Sequence, residues 1–140
     1  MKRLWYAAIA YAALGLTSGL FYRALTHGMA DVGRNQLSTT HTHLLTLGMI
    51  VMLVVLVLDA ALGVSGSRSF RVFFWTYSSG LVITAGVMIW HGIIQLRGGT
   101  GNAMIAGLAG IGHILLTVAI AALMVSLSAP IKLRLARQEA

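Results

Sequence analysis

Two histidines, His41 and His43, stand two residues apart at the polar end of an apolar run, Leu44 to Leu58. An imidazole inside a membrane span is costly and rarely idle. A helix turns about 100° per residue, so these two side chains leave it about 200° apart. They are poorly placed to clasp one ion from a common face, but each can reach its own partner on opposite flanks. Neutral imidazole is a frequent metal ligand and a frequent haem axial ligand. His91 and His113 are further candidates for the same chemistry, with a hydrogen bond across helices as their competing role. His27 reads as a solvated loop residue. Arg23, Arg34 and Arg97 have the planar donors that suit carboxylates, so they can pair with haem (heme) propionates or simply anchor headgroups.

The elements that position these groups are membrane helices. The chain has 140 residues, of which 58% are hydrophobic and 9% charged, with a mean hydropathy of +0.86. An average soluble domain carries about 25% charged residues. Four stretches have the length of about 20 mostly apolar residues that a span requires: 4–25, 39–63, 70–96 and 103–128. The expectation is an all-α membrane protein, one domain over 1–140 with four transmembrane helices. The apolar run after Met1-Lys2-Arg3 extends from Leu4 to Phe21, long for a signal peptide, and reads as a retained first helix.

The net charge of +7 is unevenly distributed. If the helices alternate, Lys2, Arg3, Arg68, Arg71, Lys132, Arg134 and Arg137 share one side, while Arg23, Arg34 and Arg97 share the other. That bias puts both termini and the 64–69 loop in the cytoplasm of a bacterial inner-membrane protein. No basic soluble face is left for nucleic acid. There is no cysteine, which excludes disulfides, cysteine-ligated clusters and covalent c-type haem.

Along the chain, Gly15 and Gly19 in the first span favour close helix packing. The second span is expected to start near Ser38 or Thr39, both suited to N-capping. Asp59 at its inner end would pair with a loop arginine such as Arg68, or relay protons. The short turn 98–102 makes helices 3 and 4 antiparallel neighbours, and Pro130 is expected after the end of helix 4. At about 1.5 Å rise per residue, His41 and His43 lie within about 6 Å of the start of helix 2, His91 about 8 Å from the end of helix 3, and His113 about 16 Å into helix 4. All four fall in the outer half of the bilayer. Gly48, Gly92, Gly110 and Gly112 either serve helix packing or let a flat macrocycle approach. Met29, Met49, Met52, Met88, Met104 and Met124 could offer thioethers to copper, against the ordinary use of methionine as core filler. No nucleophile–base arrangement stands out. The Gly98–Gly101 run lacks the strand and lysine of a phosphate loop, and no His-Glu-x-x-His occurs.

The stretch His41-Thr-His43-Leu-Leu-Thr-Leu-Gly48 resembles the haem-binding helices of the haem–copper oxidase superfamily, most closely the cbb3-type oxidase and nitric oxide reductase branch. There a His-x-His pair ligates two haems on the two faces of one helix. The chain as a whole is similar to a family of small four-span bacterial membrane proteins of unknown function, through Gly19-Leu-Phe-Tyr-Arg23, Gln36-Leu-Ser to Leu-Gly-Met49, and Gly112-His113-Ile-Leu-Leu-Thr117. The superfamily's catalytic subunit has twelve helices in three arcs of four. The resemblance therefore implies a homotrimer in which His41 of one copy and His43 of the next hold haem b, with Arg23, Arg34 and Arg97 as further cofactor-binding candidates. The adjacent His-His pair and the His-Pro-Glu-Val-Tyr-like stretch of the oxidases are missing, which argues against an oxygen-reducing binuclear centre. His91 and His113 would then be a simpler second metal site, copper for example.

The resulting expectation is a haem b protein for electron transfer or redox sensing, acting with a redox partner the sequence does not name. Two alternatives stand beside it. One is a gas-binding or gas-reducing haem or metal enzyme; the other is a haem-free transporter or metal-binding scaffold.

Overall fold

The computed structural model describes residues 1–29, 32–33 and 35–139. Helices α1 (Lys2–Thr26), α2 (Gln36–Leu62), α3 (Arg68–Leu96) and α4 (Ala103–Gln138) are each long and apolar enough to cross a bilayer. Each helix packs chiefly on its neighbours in the chain: α1 on α2, α2 on α3, and α3 most extensively on α4. Among them, α3 is the most enclosed and α4 the least.

The helix ends differ from expectation in three places. Helix α2 begins at Gln36, because the Asn35 side chain caps it by accepting from the Ser38 amide at 2.9 Å. Ser38 and Thr39 instead turn their hydroxyls back onto the carbonyls of Asn35 and Gln36. Helix α4 runs through Pro130 to Gln138 rather than stopping before it. Proline removes one donor, a local loss that does not by itself end a helix, and the extension is tied back to α2 where Arg134 donates to the Ala61 carbonyl. Asp59 does not reach Arg68. Its carboxylate pairs with the Met1 ammonium at 3.2 Å and accepts the Ser65 amide at 2.7 Å, because the start of α1 lies against the C-terminal end of α2.

Helix α2 is not uniform. Leu44–Ile50, directly after the histidine pair, is a π-helical segment. The buried positions along the rod are Leu37, Thr40, Leu44, Gly48, Met52, Val55 and Asp59, with three successive steps of four residues across this segment. A wider turn needs that spacing to keep one face inward. The Tyr77 hydroxyl on α3 donates to the Leu47 carbonyl at 2.8 Å, inside the π segment.

Lipid is as apolar as leucine, so close packing rather than escape from water holds these helices together. The α1–α2 seam shows how. A Cβ added at Gly48 would lie 2.6 Å from Tyr11 Cβ, and one at Gly15 2.7 Å from Leu45 Cδ2. At Gly19 it would lie 3.6 Å from the Cβ of His41. On the other side of α2, a Cβ at Gly92 would run into the Leu37 amide nitrogen, and in the α3–α4 seam one at Gly112 would run into Thr84 Oγ1. Gly48, Gly92 and Gly112 are therefore packing residues, whereas nothing lies within 4 Å of a Cβ at Gly110. Phe73, Met52, Leu81 and Ala119 form the centre of the core. Met52 is core filler, while Met29, Met104 and Met124 are exposed.

Candidate functional site

The two histidines of α2 meet different surroundings. His41 turns toward α1, where its side chain packs over Gly19. Its Nε2 lies 3.3 Å from Thr42 Oγ1, and its Nδ1 is buried with no hydrogen-bond partner. His43 turns toward α3 and α4. It lines a cavity of about 770 Å³ together with His91, His113, Gln36, Thr39 and Asn102, over an apolar wall that includes Val87, Met88 and Ile105. Thus three of the candidate histidines, one from each of α2, α3 and α4, share one cavity near the end of the bundle where α4 starts.

The imidazoles are held in defined states. His43 Nδ1 lies 3.1 Å from the Thr39 carbonyl, and His113 Nδ1 lies 2.8 Å from the Ala109 carbonyl, each one turn back on its own helix. A carbonyl can only accept, so Nδ1 carries the proton in each neutral ring and Nε2 keeps its lone pair. Metal-bound histidines are commonly oriented in this way. His91 Nε2 reaches the α3–α4 turn, where a Cβ added at Gly101 would lie 2.9 Å from it.

The space has the volume and the mixed apolar and polar lining of a small-molecule site. Ligand sites of about 300–1,000 Å³ with apolar walls and a few convergent polar groups are typical for small molecules. A compact multi-histidine metal centre does not fit. Among the described residues, no group of three or more His, Cys, Asp or Glu is close enough to hold one ion. A second metal site at His91 and His113 would find no third His, Cys, Asp or Glu ligand among the described residues.

Arg23 and Arg97 stand apart from this cavity. Arg23 is exposed in the last turn of α1, and Arg97 is exposed just past the end of α3. Neither lines the cavity. Arg34 lies outside the described residues. Gln36, Thr39, Thr84 and Asn102 do line it and were not singled out from the sequence. Asn102 had a legible signal, as an N-cap residue between a glycine-rich turn and an apolar run. Thr39 sits one turn before His43, and that spacing puts its carbonyl under the ring.

Four spanning helices with polar groups gathered at one end define a multi-pass, all-α membrane protein whose setting is a lipid bilayer. The chain belongs to a family described as "Protein of unknown function (DUF2871)", which matches residues 1–130. No curated protein and no solved structure matches it.

Proposed function

We propose that this is a haem b-binding membrane protein that transfers electrons or senses redox state through bis-histidine ligation. The observation that carries this reading is the His43 imidazole, fixed by the Thr39 carbonyl with its Nε2 lone pair free, on a cavity of about 770 Å³. A bound haem would supply a one-electron couple at iron. The chain's own residues would ligate it through His43 and wall it with the apolar side chains of α3 and α4. Gln36 and Asn102 would serve any polar edge at the mouth. His41 faces away from this cavity, so within one copy it cannot complete the pair with His43. The motif resemblance of His41–Gly48 to the haem-binding helices of the haem–copper oxidases suggests the rest of the proposal. Three copies form a ring, and His41 of each copy meets the His43-bound haem of the next. Two protein ligands leave no open position for a substrate, which favours electron transfer over gas chemistry.

Purified protein from haem-sufficient cells is expected to show a Soret band and sharp reduced bands of low-spin haem b. Both His41→Ala and His43→Ala are expected to remove or strongly shift them. A colourless preparation, or a spectrum indifferent to both variants, refutes the assignment. One observation favours a second reading: His91 and His113 share the cavity with His43, where they could assist a small gas at a five-coordinate haem. Carbon monoxide added to the reduced protein separates the readings. A shifted Soret band supports the gas-binding enzyme, and an unchanged one the electron carrier.

A further inference from the structure

We propose that the end of the bundle where α1 and α3 begin carries a binding site for the phosphate group of an anionic phospholipid. A recess of about 370 Å³ there is lined by Lys2, Arg3 and Arg71, with Ser65, Phe74 and Trp75. A shallower neighbouring groove of about 550 Å³ shares Arg71 and Trp75 with it and adds Arg68. Four exposed cationic side chains thus border two adjoining depressions.

Among the described residues, no carboxylate balances them. Asp59 is buried and engaged by the Met1 ammonium and the Ser65 amide. Among the described residues, none of the four makes an ion pair. Like charges gathered this closely repel one another until an anion arrives. Guanidinium groups pair in bidentate fashion with phosphate oxygens, and basic pockets between membrane helices suit phospholipid headgroups. The apolar surroundings select a lipid over free phosphate. Trp75 and Val72, 60% and 42% exposed, flank the groove on α3, and Trp5 on α1 is 51% exposed. A headgroup in the recess can lay its acyl chains along these residues, whereas inorganic phosphate gains only the cations. Topogenic charge alone requires a side of the membrane, not a shared recess. Lys132 and Arg137 on α4 provide the contrast, since they lie on the same side of the membrane but line neither space.

The test uses the full-length protein, delipidated in detergent and then given phosphatidylglycerol, cardiolipin or phosphatidylcholine, with retained lipid counted by native mass spectrometry. At about 1 kcal/mol per cation, anionic lipid is expected to be retained at least about tenfold over phosphatidylcholine. Arg71→Gln should reduce that preference and Lys2→Gln/Arg3→Gln/Arg71→Gln should reduce it further, to the few-fold that Arg68 alone supplies, while Lys132→Gln/Arg137→Gln keeps it. The wild-type comparison and the single Arg71 variant stand even if the triple variant inserts poorly. Displacement of the lipid by inorganic phosphate at matched ionic strength supports phosphate recognition. Equal retention of all three lipids overturns the site, as does equal loss of preference in the α4 control pair. Thermal stabilisation by inorganic phosphate without any lipid preference overturns the lipid assignment.

Discussion

An imidazole whose Nδ1 proton is committed to a carbonyl has one lone pair left, at Nε2, and both His43 and His113 are in that state on one cavity. They differ in depth. From the helix starts, His43 lies about 10 Å into α2 and His113 about 15 Å into α4. If the second axial ligand comes from a neighbouring copy, His113→Ala should leave haem content nearly unchanged and only perturb the band positions. His43→Ala should lower haem content by about tenfold or more, as loss of a ligand implies. Pyridine haemochrome assay per chain reads both, and a colourless His113→Ala protein would move the second ligand inside the chain. Sequence counting put His43, His91 and His113 in the outer half of the bilayer but gave no reason for one cavity to join them. Which face of each helix meets which neighbour depends on packing rotation, set here by contacts such as Gly92 on Leu37 and Gly112 on Thr84. The propionate role suggested for Arg23 and Arg97 rested on the fit of guanidinium to carboxylate, and the structure puts both outside the cavity lining.

At the scale of the element, the π segment Leu44–Ile50 determines how the histidine pair is turned relative to the lower half of α2. One extra residue in a turn shifts the helical phase by about 100°, enough to exchange a core-facing position for a lipid-facing one. The Tyr77 hydroxyl on the Leu47 carbonyl ties the segment to α3, and the absence of a side chain at Gly48 ties it to Tyr11 on α1. Tyr77→Phe should cost about 0.5–1.5 kcal/mol, the net worth of one hydrogen bond, and shift the haem bands through His43. Gly48→Ala should cost about 1–3 kcal/mol by overpacking, since its Cβ would meet Tyr11 Cβ and Cγ rather than a flexible chain end. Thermal unfolding in detergent with a parallel spectrum tests both. An unaltered spectrum in the destabilised Tyr77→Phe protein would separate the π segment from the site. The four spans and the glycine seam of α1 were legible from the apolar runs and Gly15-xxx-Gly19. The π segment was not, because Leu44–Leu58 is apolar nearly all round and carries no amphipathic phase to read. Pro130 misled for a related reason. A proline rule describes the donor that is lost, while the fate of the helix depends on what holds its far side, here Arg134 on Ala61.

At the scale of the molecule, the divergence of His41 and His43 yields a test of assembly that no single variant can provide. His41 faces α1, and His43 faces the cavity beside α3 and α4. In the proposed ring, each haem takes His43 from one copy and His41 from the next, so the interface is head-to-tail and closes after three copies. His41→Ala copies keep His43, and His43→Ala copies keep His41. Neither variant alone can form an intact site. In a mixed trimer, the order of copies around the ring contains one junction where a copy retaining His43 is followed by a copy retaining His41. The two variants, co-expressed with different tags and purified by both in succession, should therefore recover haem at about one site in three. Native mass measurement should find three chains, and a detergent that splits them should bleach the pigment. Ligation of His43 by His91 or His113 of its own chain predicts a different pattern, in which His41→Ala copies keep their haem alone or mixed and His43→Ala copies lose it. Colourless doubly purified trimers beside a coloured wild type would therefore rule out the shared site, and a fully coloured His41→Ala protein would leave His43 to find its partner among His91 and His113.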